Sequence, residues 1–371
     1  MTIAVRSFAK INLGLYIGAR RVDGFHELRT VYQTIALHDV IRVSVDRSAQ
    51  ARARGVEIEC RCEDARVPLD ATNTCHRMAA LVMAALGAEG KVTIEIEKRL
   101  PVQGGMGAAS SNAVATMIAL EKALALQRAR RPLAKKASLR AAERLRLAAQ
   151  VGSDLPLFVL GGTVLGVGRG EQVYPLADLR ATPMVVVTPE VGVSTPKAFA
   201  QWDAVTGREA AELNSAGTGE GARPHTSRSR ASTTELTQVA SSDRMFAVGC
   251  ALSAWLGSNP DTGAPAATSI IKSGGRVGNL SDLVRAGIEN DFERVVFSEF
   301  PELRDIKRAL ERAGAMYASL SGSGSTLYGL FGSAGESVRA AERLSKRGLR
   351  AVATRTLTRR EFRKRSLVVG R

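Results

Sequence analysis

Cysteine is scarce. Cys60, Cys62, Cys75 and Cys250 are the four in 371 residues, and no Cys-x-x-Cys pair is among them. That density excludes a disulfide-stapled scaffold and points to free thiols in a reducing compartment. Aromatic residues make up 5%, too few for the stacking platforms of single-stranded nucleic-acid binders. No apolar run reaches the roughly 18 residues needed to cross a bilayer. The opening Met1-Thr-Ile-Ala-Val-Arg lacks a signal-peptide layout, so a cytoplasmic protein without a membrane partner is expected. No His/Asp cluster suggests an all-protein metal cage. The common nucleotide motifs are missing too: no Gly-Lys-Ser/Thr follows a Walker spacing, and no G-x-G-x-x-G precedes an acidic ribose ligand.

What is present is an ordinary globular composition, with 45% hydrophobic and 24% charged residues. The length suits one large domain or two ordinary ones. The formal charge is +16, much of it arginine on helical faces (Arg128 to Arg146) and in the run Arg359-Arg-Glu-Phe-Arg-Lys-Arg365. Solvated faces and attraction for anionic substrates account for it. The alternative of another class is a non-catalytic RNA-binding protein with salt-dependent affinity.

The chain is organised around Arg99-Leu-Pro-Val-Gln-Gly-Gly-Met-Gly-Ala-Ala-Ser-Ser-Asn112. Val92 to Glu97 before it alternates with the period of a strand. Ala113 onward is an apolar, alanine-rich run that predicts a buried helix. Gly104, Gly105 and Gly107 let the backbone turn and approach a ligand. Ser110, Ser111 and Asn112 are placed to cap the helix. Free N–H groups at a helix start make a seat for phosphate, although such a loop is equally often only a turn.

Elsewhere, Val5 to Ile17 reads as a strand on which Lys10 and Asn12, two apart, share a face. Asp23-Gly24 forms a turn, with Phe25 and His26 beside it. Leu28 to Leu37 reads as a second strand, and Val40 to Val45 and Val56 to Cys60 as further antiparallel ones. Asn73 precedes a helix through His76 to Leu86, and Pro132 to Gln150 contains another helix. Asp154 stands before an apolar run, where an N-cap is the ordinary role. Thr163 to Val167 and Met184 to Thr188 are strands, and Val193 to Phe199 opens a helix. Residues 211–242 read as a flexible polar insertion, and 263–278 are similarly loose. Asn290 to Glu293 precedes a helix through Ala309. Met316 to Phe331 is strand, glycine-serine turn, strand; Glu336 to Arg347 is helical; Ala351 to Leu357 is the closing strand.

Three short motifs occur in order: Ala9-Lys-Ile-Asn-Leu-Gly-Leu15, the central loop, and Leu320-Ser-Gly-Ser-Gly-Ser-Thr326. Together they resemble the GHMP kinases, which include galactokinase and the homoserine, mevalonate and phosphomevalonate kinases. Asp23-Gly-Phe-His26 and Gly152-Ser-Asp-Leu-Pro-Leu-Phe158 are most similar to the branch that phosphorylates a cytidine diphosphate-linked methylerythritol. The resemblance spans nearly the whole chain apart from the polar insertion and the basic tail.

It implies an α+β, two-domain fold, with a ribosomal-S5-like ATP-binding domain over 1–178 and a ferredoxin-like α/β sandwich over 179–371. It implies Asp154 as catalytic base and Lys10 as its partner, with Mg²⁺ carried on ATP. Pro101, Gly104, Gly105, Met106, Gly107, Ala108, Ala109, Ser110, Ser111 and Asn112 would hold ATP, with Asn73 and Lys98 on the adenosine side. Phe25 and Phe199 would sandwich the cytosine, and His26 would read its edge. Asn12 and Thr195 would approach the alcohol, and Gly322 and Ser323 the substrate phosphates. A monomer or weak homodimer is expected, with no nucleic-acid partner. Two departures stand out: Ala108-Ala109 where more glycine is usual, and Phe25 where tyrosine is common. The same-superfamily alternative is a kinase for homoserine or mevalonate, for which a base sandwich would have no use.

Overall fold

Apolar residues recur with strand periodicity from Thr2 to Asp46, broken only by the turn at Arg21–Phe25, and this stretch folds as one long hairpin. The computed structural model describes residues 2–130, 138–216 and 288–368. β1 (Thr2–Arg20) and β2 (His26–Asp46) pair antiparallel, with register shifts at Phe8/Lys10 and Asn12/Gly14. The two strands expected at 28–37 and 40–45 are therefore one. His38-Asp39 does not interrupt it, because the fully buried Asp39 carboxylate is bonded within the fold rather than in a turn.

After the short α1 (Ala49–Ala53) come β3 (Val56–Cys62), α2 (Thr74–Leu86) and β4 (Gly90–Glu97). β3 pairs with β4 in parallel, not antiparallel as expected. The intervening helix is the reason: a helical crossover returns the chain in the same direction. Then follow α3 (Ala108–Arg130), α4 (Ala141–Val151), α5 (Leu155–Leu160), β5 (Thr163–Gly168) and β6 (Gln172–Pro175). The helix expected within 132–150 is α4, which begins at Ala141 after an N-cap at Arg140.

The later elements are β7 (Pro183–Val187), α6 (Thr195–Ala216), α7 (Phe292–Glu299), α8 (Pro301–Arg312), β8 (Tyr317–Leu320), β9 (Leu327–Leu330), α9 (Ala334–Ser345), β10 (Ala351–Arg355), α10 (Arg359–Ser366) and β11 (Leu367–Val368). The single helix expected to run to Ala309 is two helices, because Pro301 takes the first position of the second and disfavours helical backbone at Phe300. The basic run 359–365 is itself helical, opened by a capping box between Thr358 and Glu361. Helix α6 reaches into the segment read as a polar insertion; the rest of that segment, the loose stretch 263–278 and Cys250 lie outside the described residues. Cys60, Cys62 and Cys75 are free thiols, and burial pushes Cys60 up to about 11 and Cys75 up to about 12.

The architecture is mixed α+β with two sheets. The larger has the order β11-β1-β2-β4-β3, with β5 and β6 branching from β2; the smaller is β10-β7-β9-β8. One core packs α2, α3 and α5 on the larger sheet through Met78, Met83, Met117, Leu120 and Phe158. A second packs Trp202, Phe292, Phe297 and Leu310 on the smaller sheet. A third joins the sheets: Ile11, Val31 and Ile35 of the hairpin meet Met184, Val186, Tyr328 and Leu330. This seam brings the late glycine-serine turn against the central loop. Among the described residues, no helix is long and apolar enough to cross a membrane.

Candidate active site

The central loop is stitched into the fold by its backbone. Gln103, Gly105 and Gly107 have φ of 59°, 73° and 65°, a region that glycine enters without strain. A β-carbon on Gly105 would stand 2.1 Å from the Ser321 carbonyl oxygen. Ser321 Oγ donates to the Gly105 carbonyl at 3.0 Å, and the Lys10 amide donates to the Met106 carbonyl at 3.0 Å. The loop is thus clamped between β1 and the turn that follows β8.

Helix α3 begins at Ala108, two residues before the expected start. Ala108 and Ala109 therefore lie in its first turn, where a methyl group is accommodated. Ser111 and Asn112 do not cap the helix end. Ser111 Oγ donates to the Phe8 carbonyl at 2.6 Å, and Asn112 Nδ2 donates to Asp39 at 3.0 Å. Both fasten α3 to the hairpin. The first turn of α3 carries no acidic residue, so the positive end of its dipole is uncompensated. Beside it opens a cavity of about 310 Å³, lined by Asn73, Lys98, Pro101, Gly104 to Ser110 and Asn112. Asn73 also caps α2, accepting from the Cys75 amide at 2.8 Å. Lys98 pairs with Asp39 at 2.7 Å. Asp39 further accepts from the amides of Arg99 and Leu100, so one buried carboxylate fixes the strand end, the loop entry and α3 together.

On the other side of the loop lies a cavity of about 640 Å³, which shares Gly105 and Gly107 with the first. Lys10 and Asn12 meet here as their spacing requires: Lys10 Nζ donates to Asn12 Oδ1 at 2.6 Å. Asn12 Nδ2 donates to Thr30 Oγ1 at 2.7 Å, and Thr30 donates to the Gly14 carbonyl. Asp154 stands at the N-cap position of α5, yet its side chain makes no capping bond. It faces the cavity, with Oδ2 at 3.6 Å from Lys10 Nζ and Oδ1 accepting from the Tyr32 hydroxyl at 3.0 Å. Burial lowers the Lys10 pKa from its usual range, and the attraction of Asp154 opposes that fall without cancelling it. Burial, reinforced by the same carboxylate, holds the Tyr32 phenol well above its ordinary value. Tyr32 is therefore a fixed donor and Asp154 the acceptor.

The far end of this cavity is aromatic. Phe25 is 51% exposed, with the Arg169 guanidinium 4.9 Å from its ring centre. His26 lies parallel to Phe199 at 4.9 Å and 10°, and the Phe292 ring meets Phe199 edge-on. His26 Nε2 is 2.7 Å from Asp203 Oδ1. Thr195 Oγ1 is 2.7 Å from Ser323 Oγ, and both line the cavity together with Gly322.

Tyr32, Thr30, Arg169, Asp203 and Asp39 were not singled out from sequence. Signals existed for two. Tyr32 stands opposite Asn12 in the hairpin register, and Asp203 follows Phe199 by one helical turn, as Phe199 follows Thr195. Arg169 and Asp39 carry no such pattern.

Residues 73–162 match the family description "GHMP kinases N terminal domain" and residues 266–349 match "GHMP kinases C terminal". A 4-diphosphocytidyl-2-C-methyl-D-erythritol kinase of Solibacter usitatus is 34% identical over 342 residues, 92% of this chain and 85% of that one. One from Heliobacterium modesticaldum is 32% identical and covers 95% of both chains. A solved 4-(cytidine 5'-diphospho)-2C-methyl-D-erythritol kinase superposes with TM-score 0.61 at 26% identity, covering 95% of this chain and 99% of that one. A homoserine kinase from Cytophaga hutchinsonii shares the fold, with TM-score 0.62 at 16% identity over 96% and 95% of the two chains. With relatives of that identity spanning nearly its full length, this chain belongs to the 4-diphosphocytidyl-2-C-methyl-D-erythritol kinases, a branch of the GHMP kinases.

Proposed function

We propose that this protein transfers the γ-phosphoryl group of ATP to the 2-hydroxyl of 4-diphosphocytidyl-2-C-methyl-D-erythritol, a step of the non-mevalonate isoprenoid route. One observation carries the reading to named residues. The phosphate-loop cavity and the aromatic cavity meet at Gly105 and Gly107, and Lys10 and Asp154 stand at that meeting point.

The amides of the loop and the uncompensated start of α3 suit a triphosphate, and Ser110 faces the same cavity. In this reading Mg²⁺ would travel on the nucleotide. Bound together, ATP and Mg²⁺ supply the phosphoryl group and neutralise part of its charge. Tyr32 holds one Asp154 oxygen, which leaves Oδ2 to take the proton of the substrate hydroxyl. The hydroxyl oxygen bonds to the γ-phosphorus as the bond from that phosphorus to the bridging oxygen breaks, releasing ADP. The Lys10 ammonium, aimed by Asn12, faces the transferring group and stabilises the charge that develops there. Asn12 and Thr195 lie in the same cavity to approach the alcohol, and Gly322 and Ser323 to close over the substrate phosphates. Phe25, Phe199 and His26 form the end suited to cytosine. In this reading, residues 1–178 form the nucleotide-binding unit, to whose sheet β11 at the end of the chain is added beside β1, and the smaller sheet belongs to the covering unit.

The test is Mg·ATP consumption with the cytidyl alcohol, homoserine and mevalonate in parallel. Turnover with the cytidyl substrate alone is expected. Turnover with homoserine or mevalonate instead would overturn the substrate assignment.

A further inference from the structure

We propose that Asp203 is a specificity-determining positioning residue: it fixes the tautomer of His26 so that the pocket accepts a base carrying an amino group and rejects one carrying a carbonyl there. The proposal rests on the reading of this cavity as a cytosine site and adds a residue to it.

The geometry comes first. Stacked rings in contact are roughly 3.5 Å apart in the perpendicular direction. His26 and Phe199 are parallel to 10° with centres 4.9 Å apart, so the imidazole is offset and covers only part of the phenyl face. A base stacked on the remaining face lies in the plane of the imidazole. His26 then meets it edge to edge, as a hydrogen-bonding partner rather than as a stacking one.

The chemistry of that edge is set from behind. A neutral imidazole has one N–H donor and one acceptor nitrogen, and the partner of one nitrogen decides the role of the other. Asp203 Oδ1 lies 2.7 Å from His26 Nε2. An ionised carboxylate can only accept, so it holds the proton on Nε2 and leaves Nδ1 with a lone pair. Cytosine presents an exocyclic amine, a donor that matches this lone pair. Uracil presents a carbonyl oxygen at the same position, and two acceptors face one another. Unmatched polar pairs of this kind discriminate more strongly than an extra or missing methylene does.

His26 is buried and Asp203 is 42% exposed on α6. A change at Asp203 therefore leaves the core intact. Helix α6 also brings Thr195, Phe199 and Asp203 to one face, so the stacking ring and the carboxylate behind His26 are carried by a single rigid element.

The experiment compares the wild-type chain with Asp203→Asn, whose amide can donate to Nε2 as well as accept from it. Binding of cytidine 5′-diphosphate and uridine 5′-diphosphate is measured at pH 8.5 with the nucleotide site saturated by a non-hydrolysable ATP analogue. In parallel, ¹⁵N NMR reads the tautomer of His26. The wild type is expected to show the Nε2–H form and a strong preference for the cytidine compound. In Asp203→Asn the tautomer becomes mixed and the preference falls by about tenfold or more, with Asp203→Glu restoring part of it. An unchanged ratio, an equal loss of both affinities, or an Nδ1–H tautomer in the wild type overturns the proposal. Because binding is read apart from turnover, a protein that prefers the cytidine compound yet phosphorylates no cytidyl alcohol refutes the proposed function while leaving this inference standing.

Discussion

The two ends of the cleft, to which the proposed function assigns phosphate and base, are built in opposite ways. The phosphate end is main chain: Gly105 is closed in by the Ser321 carbonyl, the Met106 carbonyl is bonded to Lys10, and α3 starts directly behind. The base end is side chain: an exposed Phe25, a half-open Asp203, and a His26–Phe199 stack drawn from separate elements. A phosphate is the same on every nucleotide, so a backbone cradle of fixed shape suffices for it. A base must be told from other bases, and only side chains carry different donors and acceptors. Between the ends sit Lys10, Tyr32 and Asp154, which belong to neither scheme and to which the proposed function gives the chemistry.

That division can be broken at several points. The largest effect is expected at the middle. Asp154→Asn removes the proton acceptor and keeps the shape, and kcat falls by about 10²–10⁴ with the KM for either substrate little changed. Steady-state kinetics with both substrates varied checks this; a KM effect without loss of kcat would deny Asp154 its role.

Next come changes that separate the two ends. Gly105→Ala places a methyl group against the Ser321 carbonyl at positive φ, a strain of about 1–3 kcal/mol. The KM for ATP should rise by about tenfold, and thermal denaturation should show a lowered Tm. Phe199→Leu keeps an apolar side chain but removes the flat face. The KM for the cytidyl substrate should rise by about fivefold or more, given that a stacked base is worth about 1–3 kcal/mol, while the KM for ATP stays put. If both variants moved both constants together, the contrast between the ends would fail.

The smallest effect is a pH limb. Burial lowers the Lys10 pKa below 10.5, so the ammonium loses its proton at a lower pH than a free lysine does. Activity should therefore decline on the alkaline side with a midpoint below 10.5. The Asp154 carboxylate opposes that shift, so in Asp154→Asn the midpoint of the residual activity should move lower still. A pH–rate profile of kcat/KM for both proteins reads it, and a higher midpoint in the variant would reverse the sign.

Legibility from sequence followed the same division. The loop and its helix were readable because glycine spacing and an apolar run are local features of the chain. Lys10 and Asn12 were readable as a pair because strand periodicity alone puts them on one face. The difference at α3 is also local: Ser110, Ser111 and Asn112 are residue types that favour caps, whereas the Ser111 and Asn112 side chains are drawn inward by Phe8 and Asp39. The parallel pairing of β3 and β4 was missed because alternation reports which face is buried and says nothing of strand direction.

The amino-acid order by itself determined the strand–loop–helix unit, the shared face of Lys10 and Asn12, and the Thr195–Phe199–Asp203 stripe, because each depends on backbone period and near neighbours. Only the tertiary structure decided that Tyr32 grips Asp154, that Asp203 backs His26 across 177 positions, and that the Ser321 turn closes on Gly105 across 216. The first comes from α5 packing on the larger sheet, and the second from α6 packing on Leu15, Ile17 and Leu28 of the hairpin. The third comes from the two sheets meeting through a seam of Ile11, Val31, Val186 and Tyr328. Burial of that apolar seam is non-directional and long-range, and no local pattern in the chain announces which polar groups it will bring together.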